Sequence, residues 1–371
     1  MSFLSSLPVL LYHYISPHKD SIAVSPERFD SQLQAMTRAG YQSISLDMAR
    51  DFLVRGTPLP KKSVLLTFDD GFLDNWIYAY PLLKKHGHHA VIFAVTDKLE
   101  SAATLFRPNL ETVWDGKASP HDLMALLDSP LAKDELGFRK REDPFISWIE
   151  ARAMEKSGFV SLAAHSARHE SVYTGPEYSG LVVPGPRKRT FDRVAAPMMY
   201  GMPRFDHGPA LAQPGFLPSR EMLSILQLLV PQDRSEAHAY FQVPGNTEKI
   251  MRELANLGNN ALGRFETDAE YQERVRDELN SCKEKLEYEL DRKETTLAWP
   301  WGKYSPKALD IARDLGFTLF FATTVGANKP AANPEHVHRF KARDRSWAWL
   351  KSRLVTYSRP LLATAYAAVK K

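Results

Sequence analysis

Two pairs of polar residues in this 371-residue chain are of types that could hold a metal ion. Asp69 and Asp70 are adjacent carboxylates, and two buried like charges repel strongly unless one of them binds a cation or takes up a proton. His165 and His169 stand four residues apart in His-Ser-Ala-Arg-His, a spacing that places both imidazoles on one face of a helical turn. Acidic turns and paired histidines are each common without a metal. Together they predict a site of two histidines and one aspartate with open coordination positions, which a hydrolytic metal centre needs.

Each pair directly follows a segment with the character of a β-strand. Ser63–Phe68 precedes the two aspartates, and Val160–Ala164 precedes the histidine motif. A third motif, Trp299-Pro300-Trp301-Gly302, ends the strand-like run Thr296–Trp299. In barrels and open α/β sheets the ligand lies at the carboxyl ends of the strands. We therefore expect the three motifs to meet on one face of the fold.

Strands alternate with helices over most of the chain. Further strand-like runs lie at 9–12, 89–95 and 318–324, and helical spacing of apolar residues marks 25–40 and 146–157. A longer helix begins near Asp268, and its apolar stripe consists of Tyr271, Val275, Leu279, Cys282, Leu286 and Leu290. This alternation predicts a parallel sheet or an α/β barrel.

The motifs together resemble those of a known family. Thr67-Phe68-Asp69-Asp70-Gly71 with the 165–169 motif resembles the polysaccharide deacetylases of NodB homology, carbohydrate esterase family 4. Val9-Leu10-Leu11-Tyr12-His13, the 25–40 helix and Ala298-Trp299-Pro300-Trp301-Gly302 are similar to the poly-N-acetylglucosamine deacetylase branch. The resemblance covers roughly residues 1–100, 145–170 and 268–340.

The resemblance implies a fold and a reaction. The fold would be a distorted (β/α) barrel of about seven strands, with a long irregular insertion on the catalytic face. The reaction would be metal-assisted hydrolysis of the acetamide of an N-acetylhexosamine, with release of acetate. One divalent ion would be bound, zinc first and Co²⁺, Ni²⁺ or Fe²⁺ as alternatives; two histidines suit these ions better than Mg²⁺.

The resemblance also implies roles for individual residues. Asp70, His165 and His169 would bind the ion, and Asp69 would be the general base. The oxyanion would face the metal and the backbone N–H of Trp301. Ser166 is expected to orient its loop rather than to attack the substrate. Three further residues are expected to contact the substrate: His13, Pro300 and His207.

The chain departs from the family pattern at two points. Many members carry an arginine that orients the catalytic aspartate at the position occupied here by Ala298. We expect Arg339 to replace it, the alternative being an ordinary surface arginine. The late histidine that serves the family as catalytic acid has no clear counterpart; His336, His338 and His207 are candidates, each more often a surface residue.

The prolines mark where the barrel is interrupted. There are 25 prolines, and eight of them fall between Pro176 and Pro218. A linker between two domains would be more polar than this segment, which contains Met198, Met199 and Tyr200. We therefore predict one barrel over 1–340, interrupted at about 101–143 and 171–267, followed by a basic amphipathic tail over 341–371.

The excess of basic over acidic residues comes from this tail and the two residues before it. The net charge is +4, yet residues 339–371 contain nine basic residues and one acidic residue. Trp347, Leu350, Leu354, Tyr357 and Leu361 recur at helical spacing among them. This composition suits an anionic membrane surface; the alternative is a terminal helix packed on the barrel with a basic outer face. The rest of the chain has an excess of acidic residues, so we expect no nucleic-acid partner.

These features lead to an expected location and substrate. The single cysteine excludes an intrachain disulfide and a thiolate zinc site, and the N-terminal residues lack the pattern of an export signal. We expect a cytoplasmic enzyme at the inner face of the membrane, acting on a cell-envelope glycan or glycolipid such as a lipid-linked precursor. The alternatives are a related metal-dependent amidase for a non-sugar amide and a non-catalytic glycan-binding protein.

Overall fold

A curled parallel sheet forms the centre of the molecule. The structure, a computed structural model, describes residues 3–101, 106–127, 133, 136–138, 143–186, 193–258 and 261–369. In spatial order the strands of the sheet are Leu319–Phe321 (β13), Thr296–Ala298 (β12), Val160–Ala164 (β7), Ala90–Ala94 (β6), Ser63–Asp70 (β5), Val9–Tyr12 (β1) and Phe340–Lys341 (β14). Gln42–Ser43 (β4) also pairs with β5, in parallel. The predicted distorted (β/α) barrel of about seven strands is confirmed.

The strands are buried on both faces, as parallel strands covered by helices must be. All eight residues of β5 are buried, and its register with β1 pairs Leu10 with Leu66 and Tyr12 with Phe68. Alternate residues of β5 serve two cores: Leu65 packs inside the curl of the sheet, whereas Leu66 and Phe68 pack under the helices. The strand therefore holds its last residues rigidly at the carboxyl edge of the sheet.

Helices cover the outside of this sheet. They are Pro26–Arg38 (α1), Leu46–Arg50 (α2), Tyr80–His86 (α3), Leu110–Trp114 (α4), Pro120–Leu127 (α5), Trp148–Lys156 (α6), Asp268–Leu290 (α10) and Pro306–Asp314 (α11), with π-helical turns at Asp51–Arg55 and Asn75–Ala79. A short parallel pair, Tyr14–Ile15 (β2) with Ala23–Val24 (β3), follows β1. Helix α4 and helix α5 belong to the predicted interruption at 101–143, part of which lies outside the described residues. Buried Arg107 fastens that segment to Glu150 of α6 at 2.7 Å.

The second interruption is a folded subdomain rather than an irregular segment. Its antiparallel sheet has the order Gly263–Phe265 (β11), Phe216–Pro218 (β10), Ser171–Leu181 (β8) and Pro203–Pro209 (β9). Three helices pack on it: Arg220–Leu229 (α7), Arg234–Gln242 (α8) and Asn246–Leu257 (α9). Phe205, Phe216, Met222 and Leu226 lie in a hydrophobic cluster of its own. We call residues 171–267 the insertion.

The prolines of the insertion explain why its strands are hard to recognise in the sequence. Pro203 and Pro209 bound β9, which is an edge strand, and Pro218 ends β10. Pro176 lies where the register between β8 and β9 shifts, between Tyr173 and Tyr178. Prolines are tolerated at edges, strand ends and bulges because no ladder hydrogen bond is needed there. They therefore mask strands that the alternation of side chains would otherwise indicate.

The C-terminal tail packs on the barrel. Trp347–Tyr357 (α12) buries Leu350, Leu354 and Tyr357 in the main core, and Pro360–Val369 (α13) follows it. Trp347 meets the ring of Tyr41 at 6.0 Å between centroids. Of the stripe predicted to face a membrane, Leu361 is exposed. The buried positions therefore agree with the alternative of a terminal helix packed on the barrel, and membrane contact through the tail stays a prediction. Among the described helices none is long and apolar enough to cross a bilayer.

Candidate metal centre

Asp70, His165 and His169 converge at the carboxyl edge of the central sheet. All three are buried, and one donor atom from each lies within 4.8 Å of the others. His165 Nε2 is 3.5 Å from Asp70 Oδ1, and His169 Nε2 is 3.8 Å from the same oxygen. A zinc ion bound tetrahedrally at about 2.0–2.1 Å holds neighbouring donors about 3.3 Å apart. The donor set and its spacing therefore fit a divalent ion after small side-chain movements.

The histidines are in the protonation state that metal ligands require. His165 Nδ1 is 2.8 Å from the carbonyl oxygen of Ala298, so the proton on Nδ1 is donated there and Nε2 presents its lone pair to the site. Burial lowers the pKa of His165 and lowers that of His169 further, to well below the ordinary value. Both imidazoles are therefore neutral at neutral pH. The strand that ends at Ala298 thus orients a ligand on its neighbour.

An unusual backbone brings these side chains together. Asp70, Ser166, His169 and Trp301 have φ between +53° and +77°, and they are four of the seven non-glycine residues with positive φ among those described. Such conformations are costly and cluster where the surrounding structure enforces them. The prediction of a helical turn from His165 to His169 is wrong, because the segment is an irregular loop whose left-handed residues turn both imidazoles inward.

The same strain explains how adjacent aspartates serve one site. Successive side chains of a regular strand point to opposite faces, which would separate Asp69 from Asp70. The left-handed backbone of Asp70 breaks that alternation at the last residue of β5. As a result, His165 Nε2 lies 3.5 Å from Asp70 Oδ1 and 3.8 Å from Asp69 Oδ2.

Glu278 holds the histidine loop from the helical layer, and no sequence motif pointed to it. Its Oε1 accepts hydrogen bonds from the backbone N–H of Arg168 at 2.6 Å and of His169 at 3.3 Å. Ser166 Oγ accepts another from His169 N at 3.1 Å, which matches the expected orienting role. Glu278 is buried in the apolar stripe of α10, and burial raises its pKa. A lone acid within an apolar stripe was the available signal.

Arg339 lies against Asp69, at the place where the sequence lacks the family's usual arginine. Its Nη1 donates to Asp69 Oδ1 at 2.6 Å and its Nη2 to Asp69 Oδ2 at 2.9 Å. Nε donates to the Ala322 carbonyl at 2.9 Å, and the guanidinium lies 5.4 Å from the centre of the Phe93 ring. Burial raises the pKa of Asp69 more than any single neighbour lowers it, but the charges of Arg339, His165 and His13 and the hydrogen bonds from Arg339 together bring the pKa below its ordinary value. Asp69 is therefore a carboxylate at neutral pH.

His13 lies close to this pair. It follows β1, and its backbone carbonyl accepts a hydrogen bond from Asn75 Nδ2 at 3.0 Å. Burial lowers its pKa to about 4, although the charge of Asp69 acts in the opposite direction. His13 is therefore neutral at neutral pH. It lies at the carboxyl edge of the sheet, and its contact with the substrate stays a prediction.

The Pro300–Gly302 turn forms one wall of the site. Pro300 is buried, whereas Trp301 is 38% exposed and its ring centre lies 4.1 Å from that of His169. The first N–H groups of such a turn have no partner within the turn, so the Trp301 N–H is suited to receive an oxyanion. Gly302 has φ +70°, and a Cβ there would collide with the backbone of Thr323.

Three further histidines are candidates for substrate contact or acid catalysis: His207, His336 and His338. His207 is exposed on β9, opposite Tyr173, and no hydrogen bond or ion pair joins its side chain to the described residues. His336 and His338 both hydrogen-bond with the Thr324 hydroxyl, at 2.7 and 3.0 Å. Burial lowers the pKa of His338 to about 4 and lowers that of His336 as well. The predicted roles of these residues in substrate contact or acid catalysis stay predictions.

Comparisons with known proteins find similarity to polysaccharide deacetylases. Residues 56–180 match the family model for polysaccharide deacetylase. The chain is 38% identical over 91 residues to YxkH of Bacillus subtilis, whose name describes it as a polysaccharide deacetylase. The match covers 24% of this chain and 32% of that protein. It is 21% identical over 305 residues to the poly-beta-1,6-N-acetyl-D-glucosamine N-deacetylase of Escherichia coli, covering 82% of this chain and 31% of that protein. The chain thus spans about a third of the length of these curated relatives.

A solved structure has the same fold. The de-N-acetylase from Aggregatibacter actinomycetemcomitans superposes with a TM-score of 0.57 at 19% sequence identity, covering 94% of this chain and 99% of that one. The likeness extends over almost the whole chain, so it includes the segments on both sides of the insertion.

Proposed function

We propose that this chain is a metal-dependent N-deacetylase, because its residues 56–180 match the family model for polysaccharide deacetylase. Its substrate is an N-acetylhexosamine unit of a cell-envelope glycan or of the lipid-linked precursor of one, and its products are acetate and a free amine. The observation that carries this proposal is the buried cluster of Asp70, His165 and His169 beside an ionised Asp69. Work on a lipid-linked precursor would place the enzyme at the inner face of the membrane.

The ion that the three ligands fit would be Zn²⁺, with Co²⁺, Ni²⁺ or Fe²⁺ as alternatives, because two imidazoles and one carboxylate favour such ions over Mg²⁺. When bound, such an ion acts as a Lewis acid and makes water more acidic. Asp70, His165 and His169 would hold it; the Ala298 carbonyl orients the imidazole of His165, and Glu278 fixes the backbone of His169.

Asp69 moves the proton in this mechanism. Its carboxylate, fixed by Arg339, accepts a proton from the attacking water. The Trp301 N–H donates to the oxygen of the acetamide as negative charge develops there. The leaving nitrogen needs a proton, and His13 and His338 hold none at neutral pH, since their pKa values lie near 4. We therefore assign the return of the proton to Asp69 as well.

Two features support a sugar as the group that carries the acetamide. The exposed ring of Trp301 borders the site and offers an apolar face of the kind on which a pyranose packs. The relative from Escherichia coli is named for its action on a polymer of N-acetyl-D-glucosamine. The insertion enters directly after His169 and leaves at the start of α10, so both of its ends lie at the edge of the sheet that holds the ligands.

The change Asp69→Asn tests the proposal. We expect it to lower kcat by about 10²–10⁴-fold, because the amide cannot accept the proton, while metal content stays at the wild-type level. Acetate release is assayed on nucleotide-linked, lipid-linked and oligomeric N-acetylhexosamines side by side, and bound metal is measured by elemental analysis.

The control is Asp97→Asn, which changes a half-exposed carboxylate paired with Lys285. A wild-type rate in the Asp69→Asn variant would contradict the assignment of the base. Wild-type protein that binds no divalent ion, and gains no activity when one is added, would refute the metal mechanism. Activity on non-sugar acetamides alone would instead identify an amidase, and folded, metal-loaded protein without any activity would identify a glycan-binding protein.

A further inference from the structure

A basic cavity of about 820 Å³ opens next to the proposed catalytic site. It lies where the sheet stays open, between β13 and β14, and the C-terminal helices form its outer wall. Four basic side chains line it: Lys341, Arg343, Arg345 and Arg353. Four aromatic side chains also line it: Phe340, Trp349, Tyr357 and Tyr366. We call this cavity the basic pocket.

The positive charge of the basic pocket is not neutralised by the protein. No acidic residue lines it, and none of its four basic side chains forms an ion pair with a described carboxylate. The one acid in the neighbouring segment, Asp344, accepts hydrogen bonds from Ser25 and lies 3.9 Å from Arg28. Like charges gathered in one concave surface repel one another and attract an anion. The pocket is therefore a surface that an anionic ligand would stabilise.

The pocket is held in shape by contacts that leave its charges available. The guanidinium of Arg353 lies 4.7 Å from the centre of the Tyr366 ring and 5.7 Å from that of Trp349. Buried Gln32 donates from Nε2 to the carbonyl oxygens of Arg343 and Arg345, at 3.2 and 2.9 Å. A stacked guanidinium keeps its N–H donors for a ligand.

The basic pocket and the metal centre share a boundary. Thr323 lines the pocket, and its hydroxyl donates to the Trp301 carbonyl at 3.0 Å. Lys341 pairs with Leu11 of β1, two residues before His13. The charge of Lys341 also contributes to the lowered pKa of His13, which places the two side chains within electrostatic range. A ligand that filled both sites would span two adjacent parts of one surface.

We propose that the basic pocket binds the phosphate or diphosphate ester through which the amino sugar of the substrate is joined to its carrier. This inference rests on the proposed function and narrows its substrate to phosphate-linked N-acetylhexosamines. Arginine binds phosphate oxygens in bidentate fashion, and cavities of about 300–1,000 Å³ hold ligands larger than a single phosphate. The aromatic wall then receives the first part of the carrier. The carrier is a nucleoside or a polyprenyl chain, and both present the same diphosphate chemistry.

Binding and kinetics together test the proposal. Calorimetric titration of the full-length protein uses inorganic pyrophosphate as the probe, and acetate release is compared for nucleotide-linked, polyprenyl-linked and carrier-free N-acetylhexosamine. The variants are Arg343→Gln with Arg345→Gln, and Arg353→Gln. The matched controls are Lys351→Gln and Arg359→Gln, exposed positions of the same segment that do not line the pocket.

We expect each pocket variant to weaken pyrophosphate binding at least tenfold, and to lower the ratio of kcat/KM for phosphate-linked over carrier-free substrate at least tenfold. The two control variants are expected to keep the wild-type affinity and ratio. Arg353→Lys, which keeps the charge but loses the planar donors, is expected to fall between wild type and Arg353→Gln. The carrier whose substrate gives the higher ratio of kcat/KM over the carrier-free substrate, nucleoside or polyprenyl, is the preferred one. Either result supports the proposal.

Unchanged affinity and an unchanged ratio in the pocket variants would overturn the proposal, as would pyrophosphate binding that is lost only in His165→Ala. The proposed function fails by a different result, namely no acetate release from any substrate by metal-loaded wild type. Pyrophosphate binding that depends on the pocket arginines would still be measurable in that case.

Discussion

Asp69 is anchored by a residue 270 positions away in the chain, and this pairing defines the chemistry of the site. Both side chains are buried, so each neutralises a charge that the interior would otherwise exclude. The guanidinium fixes both carboxylate oxygens, which leaves the base in one orientation before substrate binds. The catalytic group is therefore preorganised by an ion pair that joins the residue before β14 to the end of β5.

Removal of Arg339 tests that pairing. We expect Arg339→Met to destabilise the fold by about 3–5 kcal/mol, because it leaves a buried carboxylate without its partner. Urea unfolding followed by circular dichroism measures this. Arg313→Met is the matched control, because Arg313 pairs with Asp310 and Glu335 at the surface and such pairs are worth about 0–1 kcal/mol. Equal losses in the two variants would contradict a buried, stabilising pair.

Asp74 supplies a prediction of pH dependence. It is 2% exposed, and burial raises its pKa well above the ordinary value, with a further rise from the charge of Asp143. In the folded state Asp74 therefore keeps a proton that it loses in the unfolded state above about pH 4. As a result, the contribution of Asp74 to the free energy of unfolding falls as the pH rises from about 4 towards the pKa of Asp74 in the folded state. Asp74→Asn removes that fall.

We expect the free energy of unfolding of Asp74→Asn to rise relative to wild type between pH 5 and pH 8. Urea titrations at the two pH values measure the change, and Asp206→Asn, at an exposed position, is the control. A constant difference between variant and wild type at both pH values would show that Asp74 is ionised throughout.

Several site residues could be predicted from the sequence because their local surroundings identify them. Asp69, Asp70, His165 and His169 follow recognisable strands, and parallel topology then brings the strand ends together. The left-handed backbone of Asp70 and His169 could not be predicted in this way, since it is imposed by contacts with neighbouring strands and with Glu278. Glu278 itself was missed because its partners are backbone groups more than 100 residues away.

At the scale of elements, the tail shows that helical periodicity does not determine which surface a helix packs against. The stripe with Leu350, Leu354 and Tyr357 is amphipathic in either environment, and a bilayer and a barrel surface demand the same spacing. In the structure helix α12 packs beside helix α1, and this contact buries the stripe. The proline-rich insertion shows the opposite case, in which strands are present but interrupted periodicity conceals them.

A pair of leucine variants tests the packing of the tail. Leu354 is fully buried, so we expect Leu354→Ala to lower the free energy of unfolding by about 2–5 kcal/mol. Leu361 is 86% exposed, so Leu361→Ala is expected to change it by less than about 0.5 kcal/mol. Chemical denaturation measures both. Similar small effects would mean that the tail is detached from the barrel in solution.

At the scale of the whole molecule, charge is strongly separated. Residues 339–371 carry nine basic residues against one acidic residue, whereas the whole chain has a net charge of only +4. The positive end coincides with the basic pocket beside the catalytic edge. A field of this kind attracts anionic substrates from solution and is weakened by salt.

This separation predicts a salt effect that depends on the substrate. Between about 20 and 300 mM NaCl we expect kcat/KM for phosphate-linked N-acetylhexosamine to fall several-fold, since the Debye length shortens to below about 10 Å. The value for carrier-free substrate is expected to change little over the same range. Equal salt dependence for both substrates would indicate that the positive end plays no part in capture.

The separate hydrophobic cluster of the insertion has a consequence for how this protein can change. Most of its apolar residues pack with one another, and polar contacts such as that of Arg274 with Glu266 at 2.7 Å help to join the insertion to the barrel. Substitutions within that cluster therefore change the stability of the insertion separately from the stability of the barrel. A library restricted to 171–267 can explore new substrates while the ligand cluster keeps its fold, so the insertion is the natural target for directed evolution.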